Sequence, residues 1–210
     1  MSDLTFYTHP VSRGRIARWM LEEIGRPYET VALTFEEMEK SAYRAINPIG
    51  KVPAVAHEGK LITETAAICA YLAEACPEAG LAPSAEELAD YYRWLLFMAG
   101  PGEAAVVDKL MGIAPSAVQR RFVGYGNFDA MMMMLEIATT KYPYIAGDRF
   151  TAVDVYFGGQ LIFATEQGSM PDRPSFAAYK ERLIARPAYQ RAKSIDDALA
   201  ADSSMISPNW

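Results

Sequence analysis

The chain has 210 residues, 51% hydrophobic and 22% charged, and a mean hydropathy of −0.02, the profile of a globular protein with enough apolar material for one or two cores. Its net charge of −6 and pI near 5.0 provide no basic field for a nucleic-acid backbone or an anionic membrane surface, so neither is expected as a partner. No apolar run approaches the ~20 residues of a membrane span and the N-terminus lacks a signal-peptide pattern, which makes a cytoplasmic protein the expectation.

Residues 4–7 are a short β-prone run. Ile16, Met20 and Ile24 then recur at helical spacing until Gly25-Arg26-Pro27 stops the pattern. Residues 28–33 read as a second strand and 35–46 as one short helix. "NPIG" is a turn leading into "VPAVA", and a hairpin through Glu58-Gly59-Lys60 brings in Leu61-Ile62. From Glu64 the stretch "ETAAICAYLAEACPE" is helical, with Ala67, Ile68, Tyr71 and Leu72 on one face, and Pro77 ends it. The first third therefore reads βαβαββα. Strand signals then vanish, and helical patterns run over 85–111, 116–142, 151–167, 175–185 and 187–200. The change of texture divides the chain into an α/β domain over 1–76, a linker over 77–84 and an all-helical domain over 85–210. Met131 to Met134 must face several directions in a helix, and core filling is their expected use.

Cys69 and Cys76 are too far apart for a C-x-x-C pair, and two histidines cannot build a His-rich cluster, so no metal is expected. The stretch "YTHPVSRGRIARW" raises a sharper question, because it loads Arg13, Arg15 and Arg18 into the first turns of a helix. Cations there oppose the helix dipole by ~0.3–1 kcal/mol each, which calls for an anion nearby. "FTAVDVYFG" places Thr151 three residues before Asp154, a capping box flanked by Phe150 and Val155, with a role in folding.

Three motifs in order, "YTHPVS", "NPIGKVPAV" and "TETAAI", resemble those of a cytosolic glutathione transferase, in particular a bacterial member of the serine-type classes theta, phi and zeta. The resemblance spans essentially the whole chain and implies a thioredoxin-like N-terminal domain followed by an all-helical one. It further implies glutathione as co-substrate, a homodimer, and a role in detoxification of hydrophobic electrophiles. Ser12 would then donate its hydroxyl to the glutathione sulfur, though a hydroxyl at that junction also serves as a helix cap. Tyr7 is the rival for the sulfur, as in tyrosine-type classes. Val52-Pro53 matches the family's cis-proline peptide, which would expose Val52's backbone to pair with the cysteinyl unit, while Lys51 would reach the glycyl carboxylate. Glu64 and Thr65 resemble the acid-hydroxyl pair at the γ-glutamyl end, with threonine where serine is commoner. Of the arginines, Arg13 and Arg15 would lie nearer the sulfur, and Arg18 would pair with a carboxylate of the helical domain. Phe97, Met98 and Met111 are candidate walls for the electrophile. The same fold also hosts glutathione-dependent disulfide reductases, peroxidases and non-catalytic binding modules; loss of the sulfur-site hydroxyl or of the acid-hydroxyl pair would favour a binding module, and neither is lost.

Overall fold

The computed structural model describes residues 3–202 and 205. Its contacts divide the chain into two compact units, Met1–Gly80 with Ala185–Trp210, and Leu81–Ile184.

The first unit is built on four strands, β1 (Leu4–Thr8), β2 (Glu29–Ala32), β3 (Ala54–His57) and β4 (Lys60–Thr63), in the spatial order β2-β1-β3-β4. β1 runs parallel to β2 and antiparallel to β3, and β3 is antiparallel to β4. With helices α1 (Gly14–Ile24), α2 (Phe35–Glu39), α3 (Ser41–Arg44) and α4 (Thr65–Ala75), this is the thioredoxin-like order expected from the sequence. α1 buries Ile16, Ala17, Met20, Leu21 and Ile24, one stripe at helical spacing, in the same core as Leu4 and Phe6. Gly25 ends it at φ 67, donating its N–H to the Leu21 carbonyl at 3.2 Å.

The single helix expected over 35–46 is two short ones. Thr34 and Glu37 form a capping box at the start of α2, and Lys40, extended at φ −72 and ψ 150, interrupts the helical path before α3. The break lets Met38 and Tyr43 both be buried, at 4% and 3% exposure.

Sequence texture alone puts residues 85–210 in one helical block, whereas packing places its last helix, α10 (Pro187–Ala200), on α1. Trp19 meets Tyr189 edge-on at 5.0 Å, Glu23 holds Arg186 through two bonds of 2.6 and 2.8 Å, and Glu22 holds Arg191 at 3.0 Å.

The second unit contains α5 (Leu88–Phe97), α6 (Glu103–Leu110), α7 (Phe128–Lys141), α8 (Ala152–Glu166) and α9 (Pro174–Ile184). The helix expected over 85–111 is divided by a π-helical turn, Met98–Gly102. Pro101 inside it has no N–H to continue the α-helical ladder. The pattern over 116–142 likewise yields only a 3-10 turn, Gln119–Arg121, and then α7, because Gly126 turns at φ 66 and Asn127 caps the new helix by accepting Ala130's N–H at 2.9 Å. Met131 and Met132 fill the core while Met133 is exposed.

α8 is buried over most of its length, including Gly158, where a Cβ would lie 2.1 Å from Leu183 Cδ1; the glycine is what lets α9 approach. The capping box forms as expected. Asp154 accepts from the Thr151 N–H at 2.9 Å and its hydroxyl at 3.2 Å, from the Ile145 N–H at 2.8 Å and from the Tyr179 hydroxyl at 3.0 Å. Burial outweighs those four bonds and pushes the Asp154 carboxyl up to about 6. Among the described residues, no helix is long and apolar enough to cross a membrane.

Candidate active site

Strand register brings the three motifs together. Tyr7 on β1 lies opposite Ala54 on β3, and Ala54 lies opposite Thr63 on β4. One end of the sheet therefore carries the β1–α1 loop with Ser12, the Val52-Pro53 peptide just before β3, and Glu64 and Thr65 just after β4.

In the β1–α1 loop the Ser12 hydroxyl accepts the Gly14 N–H at 3.0 Å and donates to the His9 carbonyl at 2.7 Å. It thus acts as the first-turn cap of α1, and its proton is engaged. His9, fully buried, organises this loop, a role its sequence position did not reveal. The Val11 N–H donates to His9 Nδ1 at 3.2 Å, which assigns the ring proton to Nε2, and Nε2 donates to the Met205 carbonyl at 3.0 Å. Burial lowers the His9 pKa, which favours this neutral form. Gly14 is required at the helix start because a Cβ there would fall 2.0 Å from the Thr8 hydroxyl oxygen. Tyr7 is half-buried with its ring 5.8 Å from that of Tyr43.

Two of the three arginines find their anions on α10. Arg18, 1% exposed, donates from Nε to Asp196 at 2.7 Å and from Nη1 to Thr30 and Tyr28 at 3.2 and 3.3 Å, with its guanidinium 5.0 Å from the Phe6 ring centroid. Arg15 donates from Nη1 to Asp197 at 2.7 Å and from Nε to the Pro10 carbonyl at 2.5 Å, so its charge is paired with a carboxylate of α10. Arg13, half-buried at the N-cap position of α1, stands closest in sequence to Ser12.

The Val52-Pro53 peptide is cis. Lys51 before it is exposed, Val52 half-buried and Pro53 buried. Two residues to which the sequence motifs assign no role at the site hold this loop: Tyr43 Oη and Asn47 Nδ2 both donate to the Lys51 carbonyl, at 2.7 and 2.8 Å. The buried Asn47 at the head of "NPIGK" was the available signal, since a buried amide must bond its surroundings. Gly50 turns at φ 67, where a Cβ would meet the Met38 carbonyl oxygen at 2.8 Å. Glu64 is exposed and adopts φ 64, ψ 116, a left-handed backbone that costs a non-glycine residue ~1–3 kcal/mol and is characteristic of ligand-holding positions. Thr65, 8% exposed, opens α4, whose first N–H groups have no partner within the helix.

In the helical unit, Met98 is buried at the start of the π turn, Phe97 is half-buried with its ring 5.6 Å from that of Trp94, and Met111 is exposed just past α6.

Residues 2–74 match the family model of the glutathione S-transferase N-terminal domain. Glutathione S-transferase 1 of Zea mays is 30% identical over 188 residues, covering 83% of this chain and 88% of that protein. GstA of Escherichia coli O157:H7 is 26% identical over 87% of this chain and 90% of its own. The theta-class glutathione S-transferase of Xanthomonas axonopodis pv. citri, solved with glutathione bound, superposes with a TM-score of 0.70 at 27% identity, covering 91% of this chain and 97% of that one. The chain belongs to the glutathione S-transferase family.

Proposed function

We propose that the chain activates glutathione as its thiolate for attack on a hydrophobic electrophile. The observation that supports this most is the gathering at one sheet end of a hydroxyl, the Val52 backbone beside a cis proline, and a helix N-terminus carrying Glu64 and Thr65. These match the tripeptide in order: Thr65 with its N–H receives the γ-glutamyl carboxylate and Glu64 the ammonium, Val52's backbone pairs with the cysteinyl unit, and Lys51 meets the glycyl carboxylate. Ser12 donates to the sulfur, Arg13 adds positive potential, and Tyr7 packs. Phe97, Met98 and Met111 are the side chains we assign to the electrophile, Met98 from the core side.

Two copies are proposed to form a homodimer, with Leu88, Tyr92 and Leu96, exposed at 45%, 44% and 64% along one face of α5, in the contact. Detoxification in the cytoplasm is the corresponding role. The test is calorimetric binding of glutathione followed by turnover with an aryl halide, with a mixed disulfide and a hydroperoxide assayed in parallel. Conjugation with a glutathione-saturable rate supports the proposal. Tight glutathione binding with turnover on none of the three replaces it with a binding module, and reduction without conjugation replaces it with a reductase or peroxidase.

A further inference from the structure

At the opposite end of β1 from Ser12, the structure leaves an imidazole nitrogen unaccounted for. His57, the last residue of β3, is 2% exposed and lies opposite Leu4 on β1. Its Nδ1 is 2.9 Å from the Tyr71 hydroxyl on α4. Its Nε2 is buried with no hydrogen-bond partner among the described residues, and it is aimed at the Asp3 carboxylate, 3.7 Å away. Glu58 follows in the β3–β4 turn at φ 50, ahead of Gly59 at φ 75. The ligand atoms of Asp3, His57 and Glu58 all lie within 4.8 Å of one another.

Two carboxylates so close repel one another, and a buried nitrogen without a partner is itself unfavourable. A cation between the three groups resolves both conflicts. Oxygen and nitrogen ligands 2.0–2.2 Å from one zinc ion sit about 3.4 Å apart at tetrahedral angles, close to the His57–Asp3 separation. We propose that Asp3, His57 and Glu58 form a divalent transition-metal site, with Zn2+ the ion that one imidazole and two carboxylates fit and water completing the coordination. With the ring proton on Nδ1 and donated to the Tyr71 hydroxyl, the Nε2 lone pair faces the ion, the usual supporting contact of a ligating histidine. The site ties the start of β1 to the β3–β4 hairpin. It is structural, and it is independent of the glutathione reading.

The chain is favourable for a test because it has two histidines, and the other, His9, has both ring nitrogens engaged. Its cysteines, Cys69 and Cys76, are both buried, and burial raises both thiols. Full-length untagged protein, freed of metal with a chelator and of glutathione by dialysis, is titrated with ZnCl2 by calorimetry and with CoCl2 by absorption. The expected result is one ion per chain, a melting midpoint about 5–10 °C higher at a hundredfold excess over Kd, and a cobalt spectrum without a thiolate charge-transfer band. Asp3→Asn and Glu58→Gln, both at exposed positions, each weaken binding about tenfold or more, Tyr71→Phe does so by about tenfold, and His57→Gln abolishes it. If His57→Gln fails to fold, the two exposed variants decide. Absence of binding at 100-fold molar excess, affinity unchanged in both exposed variants, or a thiolate band in the cobalt spectrum would each overturn the site.

Discussion

Replacing Ser12 by alanine removes a hydroxyl whose present bonds set the size of the effect. That hydroxyl donates to the His9 carbonyl at 2.7 Å, so donating to a glutathione sulfur requires it to leave a bond already made. A hydrogen bond to a charged acceptor contributes ~1.5–3 kcal/mol and one between neutral groups ~0.5–1.5. The net gain in the thiolate complex is therefore ~1–2 kcal/mol, or ~0.7–1.5 units at ~1.36 kcal/mol per unit. Ser12→Ala should raise the pKa of bound glutathione by about that much, read from the thiolate ultraviolet absorbance against pH at saturating glutathione. The substitution also strips the acceptor from the Gly14 N–H, so the melting midpoint falls by a few degrees, in line with a cap worth ~0.5–2 kcal/mol. Glutathione affinity at low pH, where the thiol is protonated in both proteins, should barely change. Tyr7→Phe, which keeps the ring packed on Tyr43, should leave the titration in place. If Tyr7→Phe moves the thiol pKa while Ser12→Ala shifts only the melting midpoint, the serine is a cap and the reasoning fails.

Asp154→Ala leaves two buried N–H groups and two hydroxyls without their acceptor and should lower stability by ~3–5 kcal/mol, measured by denaturant unfolding; an unchanged midpoint with collapsed turnover would contradict a folding role. Because burial raises Asp154 from 3.8 to about 6, the folded chain holds that proton more tightly than the unfolded one. The stability it contributes is then full below about pH 4 and declines by up to ~3 kcal/mol as pH rises to about 6. Asp154→Asn should lack this slope, and parallel pH profiles in the two proteins would refute the assignment. Glu64→Gln and Thr65→Ala should each weaken glutathione binding about tenfold, at ~1.5–3 kcal/mol per charged hydrogen bond, with a smaller loss of turnover at saturation; calorimetry showing unaltered affinity in both would move the site elsewhere. Asn47→Ala leaves Tyr43 alone on the Lys51 carbonyl and should raise the KM for glutathione about three- to tenfold with little change in kcat, measured by steady-state kinetics.

What the sequence made legible was local. The β1–α1 junction, the Val52-Pro53 turn, the start of α4, the Thr151–Asp154 box and the bounds of α10 all depend on residues a few positions apart, where propensity and capping chemistry decide. The breaks at Lys40 and at the π turn were not legible, because each follows from what the neighbouring helix must bury or from a missing N–H that a periodic pattern absorbs silently. The candidate site divides in the same way. Its motif residues could be read directly, but the supports of Ser12 and Lys51, namely His9, Tyr43 and Asn47, act through carbonyls that carry no signature of their own. Arg15 shows the limit most clearly. Its charge invited a ligand, and Asp197, 182 positions away, answered it.

The pairing of Arg18 with Asp196 also bears on how the protein is made. A ribosome releasing residues at ~5–20 per second completes α1 well before it reaches α10, so for roughly 9–34 seconds the nascent first unit carries an arginine destined for its interior with no carboxylate to meet it. Burying that cation alone is prohibitive. The early sheet and α1 must therefore stay partly open, with Arg18 in water, while the whole helical unit is synthesised between them and their last helix. Completion of the first unit therefore waits for residue 196, and a chain halted before it can finish the helical unit but not the one that carries Ser12.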